Sequence, residues 1–278
     1  MNNMYTGERD KRFYFLCNEA TLTEWTIYNG LTNLRNSSFT YKGKTYIGFL
    51  NLSIGIERLC KLIIITDFML KNNFKPPSYN KIKRLSHDLI YIIKEVYKLS
   101  ENYNNKIKTI NKNTILYKTI YFLSKFAKSS RYENIDNLCS NNMPEKSHMD
   151  EWEEILKFII ETKISRKKIE QEKNISINLY NDLKSMAYFD ISSYGNYTLK
   201  ENMFSNFKLQ EKAISLLIRD LLYFICSLTD LLYEITDRQY NQSKYINNPI
   251  FPYMRDFFKG LYIENKNTVL KKKRWQYP

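Results

Sequence analysis

The two histidines of the chain are the first candidates for acid–base chemistry. Because the sequence contains only His87 and His148, any imidazole that moves a proton must belong to one of them. His148 follows Ser147, a predicted helix cap, where we expect an exposed histidine without a role. His87 lies three residues after Arg84 on a predicted amphipathic helix, so both would share a face, and the cation would favour the neutral imidazole of a general base. A hydrogen bond to a core neighbour or a helix cap is the alternative role for His87.

A second group of ionisable residues occurs on the most apolar stretch of the chain, residues 46–70. Glu57, Arg58 and Lys61 are its few polar members, and their spacings of three and four place them on one stripe of the predicted helix. Such a stripe predicts a cationic pocket. The alternative is a structural ion pair, because a carboxylate beside two cations can neutralise a buried site.

The common catalytic sequence motifs are absent. The chain has no glycine-rich phosphate loop, no G-x-S-x-G, no H-E-x-x-H and no D-x-D run, which excludes the usual signatures of kinases, hydrolases and metalloproteases. Its four cysteines lie far apart without C-x-x-C spacing, so neither a zinc site nor a disulfide framework is indicated. We expect reduced thiols, no metal and no cofactor.

Positive charge is concentrated in one segment of the sequence. The formal net charge is +14, and residues 71–131 hold 14 basic but only 3 acidic side chains. This acid-poor segment predicts a surface that attracts a polyanion such as nucleic acid, whereas a general preference of the coding genome for lysine is the alternative. The predicted contacts within the segment are Lys81, Lys83, Lys106, Lys108 and Lys112. The basic tail, residues 266–278, is expected to be a solvated end.

The elements that would position these residues are helical. Only 7 Gly and 6 Pro occur in 278 residues, too few for the many hairpins of a sandwich or barrel. Apolar periodicity predicts helices over 20–34, 46–70, 82–99, 114–128 and 207–238. Ser147 and Asp150 indicate a capped helix start, with that helix ending at 170–174. Loops are predicted around Gly43 and over 129–136, and an extended strap with a short helix near 247–261.

A single all-α domain is the simplest organisation. Its core bundle would comprise 46–136 and 207–261, with an insertion over 137–206 that is irregular around 174–207. The charged start of the sequence does not resemble a secretory leader. The most apolar stretches are interrupted by charges and fall short of a membrane span. We therefore expect a cytoplasmic protein that does not associate with membranes.

Several sequence runs together resemble the HEPN superfamily of helical proteins. They are GFLNLSIGIERLCKLIIITDFML, a proline-containing loop, KRLSHDLIYIIKEVY, SKFAKSSRYENID and IFPYMRDFF. The resemblance implies a helical bundle that dimerises, and it covers ribonucleases of toxin, antiphage and CRISPR systems as well as non-catalytic binding members. It also implies that one polar pocket gathers Glu57, Arg58, Lys61, His87, Arg131 and Tyr132.

The match to the catalytic motif of that family is imperfect. Catalytic members carry an arginine followed by four to six residues and a histidine, whereas two residues separate Arg84 from His87. Lys81 has the right spacing but is not arginine, and Arg131 is followed by no histidine before His148.

Two functional hypotheses follow from this resemblance. In the first, the chain is a metal-independent endoribonuclease in which His87 acts on the 2′-hydroxyl or the leaving oxygen, and Arg58, Arg84 or Arg131 stabilises the charged phosphorane. In the second, the chain is a non-catalytic interaction or sensor subunit of a defence or toxin complex. RNA is the expected ligand in the first hypothesis, and a homodimer or a protein partner is expected in both.

Overall fold

The computed structural model describes residues 9–37, 42–128, 132–140, 146–183, 203–241, 248–262 and 265–276, and most of these residues are in α-helices. This part of the chain contains no β-strand, so the predicted all-α fold class is confirmed. The helices are α1 (Lys11–Arg35), α2 (Lys42–Lys71), α3 (Tyr79–Lys83), α4 (Leu89–Ser100), α5 (Ile115–Lys128), α6 (Glu133–Ser140), α7 (His148–Lys163), α8 (Arg166–Leu183), α9 (Met203–Asp237) and α10 (Lys266–Lys271).

Helix α2 is the centre of the bundle. Its apolar residues are buried on several faces, and α1, α4, α5 and α9 pack against it. The predicted central helix over 46–70 is confirmed, and α2 ends before the Pro76 and Pro77 pair. It begins at Lys42, so the loop predicted around Gly43 is wrong. In the described residues no helix combines the length and apolarity needed to cross a membrane.

Two glycines allow α1 and α2 to pack closely in antiparallel orientation. A Cβ atom on Gly30 would lie 2.7 Å from the Leu52 side chain, and one on Gly55 would lie 2.7 Å from the Ile27 side chain. Any larger residue would push the helices apart, because such distances are shorter than van der Waals contact. The close pairing fixes the position of α2, which carries Glu57 and Lys61.

An aromatic cluster joins α2, α5 and α7. The ring centroid of Phe49 lies 4.7 Å from that of Phe122 and 4.8 Å from that of Trp152. The start of α7 is fixed by the predicted capping box, in which Ser147 and Asp150 bond reciprocally. Helix α7 therefore belongs to the same core as α2, although the sequence interpretation placed it in an insertion.

The predicted helix over 82–99 is wrong in one important respect. The chain leaves helical geometry after α3, passes through a turn at 84–88, and resumes as α4. Ser86 adopts the left-handed conformation with φ of 54°, which breaks a regular helix. Asp88 then caps α4 by accepting a hydrogen bond from the Tyr91 backbone N–H. The turn alters the direction in which His87 projects.

Three other boundaries differ from the sequence expectations. The stretch 133–136, predicted as loop, forms the start of α6. The helix predicted to end at 170–174 instead ends at Lys163, where Ile164 is extended, and α8 follows. The segment 174–207, predicted as irregular, is helical up to Leu183 and again from Met203. Its residues 184–202 lie outside the described part of the chain.

The predicted strap near the C-terminus is held by buried polar side chains. Gln239 donates to the Phe251 carbonyl and accepts from the backbone N–H groups of Ile250 and Phe251. Glu24, on α1, accepts from the Phe258 backbone N–H at 2.8 Å. The predicted short helix consists here of two 3₁₀ turns. The expectation that the basic tail is a solvated end is wrong, because Val269 and Trp275 are each only 4 % exposed and the Trp275 backbone N–H donates to Thr32 on α1.

Candidate functional site

The polar stripe on α2 forms a site with the turn at 84–88. Glu57 and Lys61 are one helical turn apart, and the Lys61 Nζ atom lies 2.8 Å from Glu57 Oε1. Lys61 also donates a hydrogen bond of 2.9 Å to the Ser86 carbonyl. The Glu57 side chain is only 12 % exposed. Its carboxylate is therefore shielded from water and compensated by an adjacent ammonium group.

His87 completes this site. Its Nδ1 atom lies 3.0 Å from each carboxylate oxygen of Glu57, while its side chain is 66 % exposed. An ionised carboxylate only accepts hydrogen bonds, so when the ring is neutral its proton is on Nδ1 and Nε2 is the nitrogen that can accept. A histidine oriented by a carboxylate through one nitrogen and open at the other can accept a proton from a substrate.

A second polar cluster, formed by Asp88, Ser124 and Lys128, connects the turn at 84–88 to α5. The Asp88 carboxylate lies 2.5 Å from the Lys128 Nζ atom and accepts a hydrogen bond of 3.2 Å from the Ser124 hydroxyl. Partial burial alone would raise the pKa of Asp88, but its hydrogen bonds, that from Lys128 first, outweigh burial and lower the pKa. The cluster fixes the C-terminal end of α5 beside the His87 turn.

Arg58 does not join the contacts around His87. It extends toward α1, where its Nη2 atom lies 2.7 Å from a Glu19 oxygen. Burial raises the pKa of Glu19, and the adjacent Arg58 reduces that effect. The ion pair connects α1 with α2, so the expected position of Arg58 in a shared pocket with His87 is wrong. Successive residues of a helix point about 100° apart, which explains why Glu57 and Arg58 have different partners.

The remaining predicted pocket residues are only partly located. Arg84 is exposed and makes no ion pair with the described residues. The expectation that Arg84 and His87 share a helix face is wrong. Both residues lie in the turn at 84–88, which is not a regular helix because Ser86 adopts the left-handed conformation. Tyr132 is exposed at the start of α6, and Arg131 lies outside the described residues.

The predicted nucleic-acid contacts fall into two groups. Lys81 and Lys83 belong to α3, near the His87 turn, and Lys81 lies over the Phe68 ring at 4.0 Å. Lys106, Lys108 and Lys112 belong to the loop that follows the C-terminal end of α4, whereas His87 precedes the N-terminal end of that helix. Lys106 lies 3.3 Å from Glu101, whereas Lys108 and Lys112 are exposed without an ion pair to the described residues.

Sequence reasoning missed the cluster of Asp88, Ser124 and Lys128. The position of Asp88 directly before the apolar repeat of α4 is a helix-capping signal that could have identified one member of this cluster.

Two other ionisable side chains are buried. His148 was expected to be exposed, yet it is 9 % exposed and its Nδ1 atom contacts Glu133. Burial raises the pKa of the Cys60 thiol, which follows Glu57 by three residues and directly precedes Lys61, so this thiol is not an activated nucleophile.

Comparisons of the chain with protein-family models, with curated proteins and with solved structures find no match. Among the described residues, no group of three or more His, Cys, Asp or Glu side chains is arranged to hold a metal ion. The functional interpretation therefore depends on the geometry around His87 and on the motif resemblance.

Proposed function

We propose that this protein is a HEPN-like, RNA-directed effector of a bacterial toxin or antiphage system that cleaves RNA without a metal ion. The observation that carries the proposal is the exposed His87 ring, whose Nδ1 atom lies 3.0 Å from both Glu57 oxygens. The order and spacing of the HEPN-like sequence runs add support. The proposal includes a cytoplasmic location and assembly as a homodimer or with a defence-system protein.

The reaction would use the free nitrogen of His87 as a general base. Nε2 takes the proton of a ribose 2′-hydroxyl, the 2′-oxygen forms a bond to phosphorus, and the bond from phosphorus to the 5′-oxygen breaks. The leaving oxygen takes a proton from solvent, which yields a 2′,3′-cyclic phosphate and a 5′-hydroxyl end. Glu57 keeps the ring oriented and compensates the positive charge that it gains.

The charge on the phosphorane would be stabilised by arginine. Arg84 is exposed three residues before His87, and the sequence places Arg131 shortly after Lys128, which contacts the His87 turn through Asp88. Arg58 is not used in this scheme, because it forms an ion pair with Glu19. A guanidinium group presents several N–H donors to phosphate oxygens, so it suits this task.

A non-catalytic subunit is the second candidate function. The observation that favours it is that Glu57 is already engaged by both Lys61 and His87, while Lys61 also binds the Ser86 carbonyl. This closed network connects the turn to α2 without a ligand. In this case the surface around the turn would bind a protein partner of a defence or toxin complex.

Cleavage assays on His87 variants separate the two candidates. We expect His87→Ala to reduce cleavage of single-stranded RNA by at least about 100-fold, because general-base catalysis contributes about 10²–10⁴, and a metal chelator to have no effect. Glu57→Gln should also reduce the rate. Lys94→Ala is the matched control, since Lys94 is exposed on α4. The wild-type products should carry 2′,3′-cyclic phosphates. Full activity of His87→Ala would exclude this mechanism.

RNA binding by the basic loop is tested by charge reversal. We expect the triple variant of Lys106, Lys108 and Lys112 to Glu to weaken RNA binding and to reduce the slope of log affinity against log salt by about 2, because about 0.7 counterions are released per neutralised phosphate of a single strand. The control with the same charge change reverses three exposed lysines of α7 and α8, namely Lys163, Lys167 and Lys173. Equal affinity of the two triple variants, measured by fluorescence anisotropy, would contradict the predicted interface.

A further inference from the structure

A cavity of about 250 Å³, which shares no lining residue with the His87 site, lies between the end of α1, the start of α2, α7, the start of α9 and the C-terminal tail. One wall is apolar and includes Trp152, Leu156 and Ile214. Trp152 and Leu156 are each 3 % exposed. This wall can accept a flat, apolar group by excluding water from its surface.

The lining of the cavity also includes a buried guanidinium group. The Arg35 side chain is 6 % exposed, and its Nη1 atom lies 3.6 Å from the nearest Glu211 oxygen. Its Nη2 atom donates to the Leu270 carbonyl at 3.3 Å, and its Nε atom has no hydrogen-bond acceptor among the described residues. A buried charge needs close partners, and these contacts are long or missing. The cavity beside Arg35 is the space from which a further acceptor could reach it.

The residues that line the cavity carry one positive charge in excess. Arg35, Lys208 and Lys273 face the two carboxylates of Glu153 and Glu211. Lys273 lies 3.3 Å from Glu211. Burial alone would raise the pKa of Glu211, but Lys273, Arg35 and Lys208 together lower it, so this carboxylate is ionised at neutral pH. A ligand with a single negative charge would balance the site, whereas a phosphate dianion would add an excess negative charge beside the two glutamates.

We propose that this cavity binds a small organic monocarboxylate with a body of one ring, the carboxylate at Arg35 and Lys273 and the ring against Trp152 and Leu156. The cavity volume of about 250 Å³ lies just below the range of about 300–1,000 Å³ that is typical of pockets for drug-sized ligands. The cavity therefore limits the ligand to a body of one ring. The proposal is independent of the proposed RNA cleavage. It assigns the chain a second site, at which a small molecule would connect α1, α7, α9 and the tail.

Titration of the full chain with benzoate tests this site in the absence of RNA. We expect saturable binding with a Kd of about 1 mM or tighter. Calorimetry and the quenching of tryptophan fluorescence measure this binding. Benzyl alcohol, which has a similar shape without the charge, and inorganic phosphate should bind at least about 10-fold more weakly. Binding of benzyl alcohol equal to that of benzoate would overturn the role of Arg35, and stronger binding of phosphate would overturn the monocarboxylate assignment.

Three variants locate the binding. Arg35→Met and Lys273→Gln should each weaken benzoate at least about 5-fold, and Gln210→Trp, which fills the cavity without changing its charge, should abolish binding. Lys271→Gln is the control, because Lys271 belongs to the same tail but does not line the cavity. If Arg35→Met does not fold, Lys273→Gln and Gln210→Trp decide the question. Unchanged affinity in both of these variants, or no saturable binding in the wild type up to about 10 mM, would refute the proposal.

Discussion

Two histidine–glutamate pairs in the described part of the chain use the same chemistry in opposite surroundings. The His87 ring is 66 % exposed and contacts Glu57 on α2, whereas the His148 ring is 9 % exposed and contacts Glu133 on α6. In both pairs the Nδ1 atom faces the carboxylate. The pairs therefore differ in the access of solvent to the other ring nitrogen.

The buried pair has additional contacts that the exposed pair lacks. The His148 backbone N–H also donates to Glu133 at 3.1 Å, and the His148 ring lies edge-on to Phe126 with centroids 5.8 Å apart. These contacts join α6 to the start of α7 and to the aromatic cluster. The comparison shows that a histidine–glutamate contact by itself does not indicate catalysis. The exposure of its side chain distinguishes His87 from His148.

The first prediction contrasts the two histidines by their effect on stability. His148→Ala should reduce the free energy of unfolding by about 1–3 kcal/mol, because it removes the ring that contacts the Glu133 carboxylate in a shielded site and leaves only the backbone N–H as donor. His87→Ala should change it by no more than about 0.5 kcal/mol, since surface substitutions rarely have larger effects. Urea denaturation followed by circular dichroism at 222 nm measures both.

An equal loss of unfolding free energy in His148→Ala and His87→Ala would remove the distinction between the two histidine–glutamate pairs. In that case His87 would be a structural residue of the turn, and the non-catalytic candidate function would be favoured. If only His148→Ala is destabilised and only His87→Ala loses cleavage, the two roles are separated within one molecule.

Helices that depend on local signals were predictable from the sequence. The apolar periodicity of α2, α5 and α9 identified them, and the Ser147 and Asp150 pattern placed the start of α7 correctly. Here burial and capping act within one or two turns of helix. Local sequence is therefore sufficient to define these elements.

The break at Ser86 could not be predicted in the same way. Apolar residues continue with helical spacing from Ile82 through Leu85 to Leu89, and no Gly or Pro interrupts them. The left-handed turn is stabilised by partners distant in sequence, Lys61 on the Ser86 carbonyl and Lys128 on Asp88. A local pattern contains no information about such contacts.

Contacts between residues far apart in sequence limited the prediction of the sites. The resemblance to a family suggested that Glu57, Lys61 and His87 lie together, although residue spacing alone could not show it. The cavity at Arg35 had no sequence signal, because Glu211 and Lys273 are distant from it along the chain and only the packing of α1, α9 and the tail brings them close.

The last prediction concerns Asp88, which ties the exposed pair to α5 and should make that region sensitive to acid. The pKa of Asp88 is lowered in the folded chain, relative to about 3.9 in an unfolded one. Its ionised form therefore stabilises the fold fully above about pH 4, and this contribution is lost as the pH falls through the lower, folded value. Asp88→Asn retains a helix cap but loses the charge that attracts Lys128.

We expect Asp88→Asn to reduce the free energy of unfolding by about 0.5–1 kcal/mol at pH 7, as for a partly exposed ion pair, and the difference from wild type to shrink as the pH falls below 4. Urea denaturation between pH 3 and pH 7 measures it. Glu161→Gln, which removes an exposed carboxylate of α7 that has no ion pair to the described residues, is the control and should show a smaller difference at pH 7. A difference for Asp88→Asn that stays constant down to pH 3 would mean that the Lys128 contact does not hold the turn. The position of His87 would then depend only on its contact with Glu57 and on the contact of Lys61 with the Ser86 carbonyl, because no charge on α5 would support the turn.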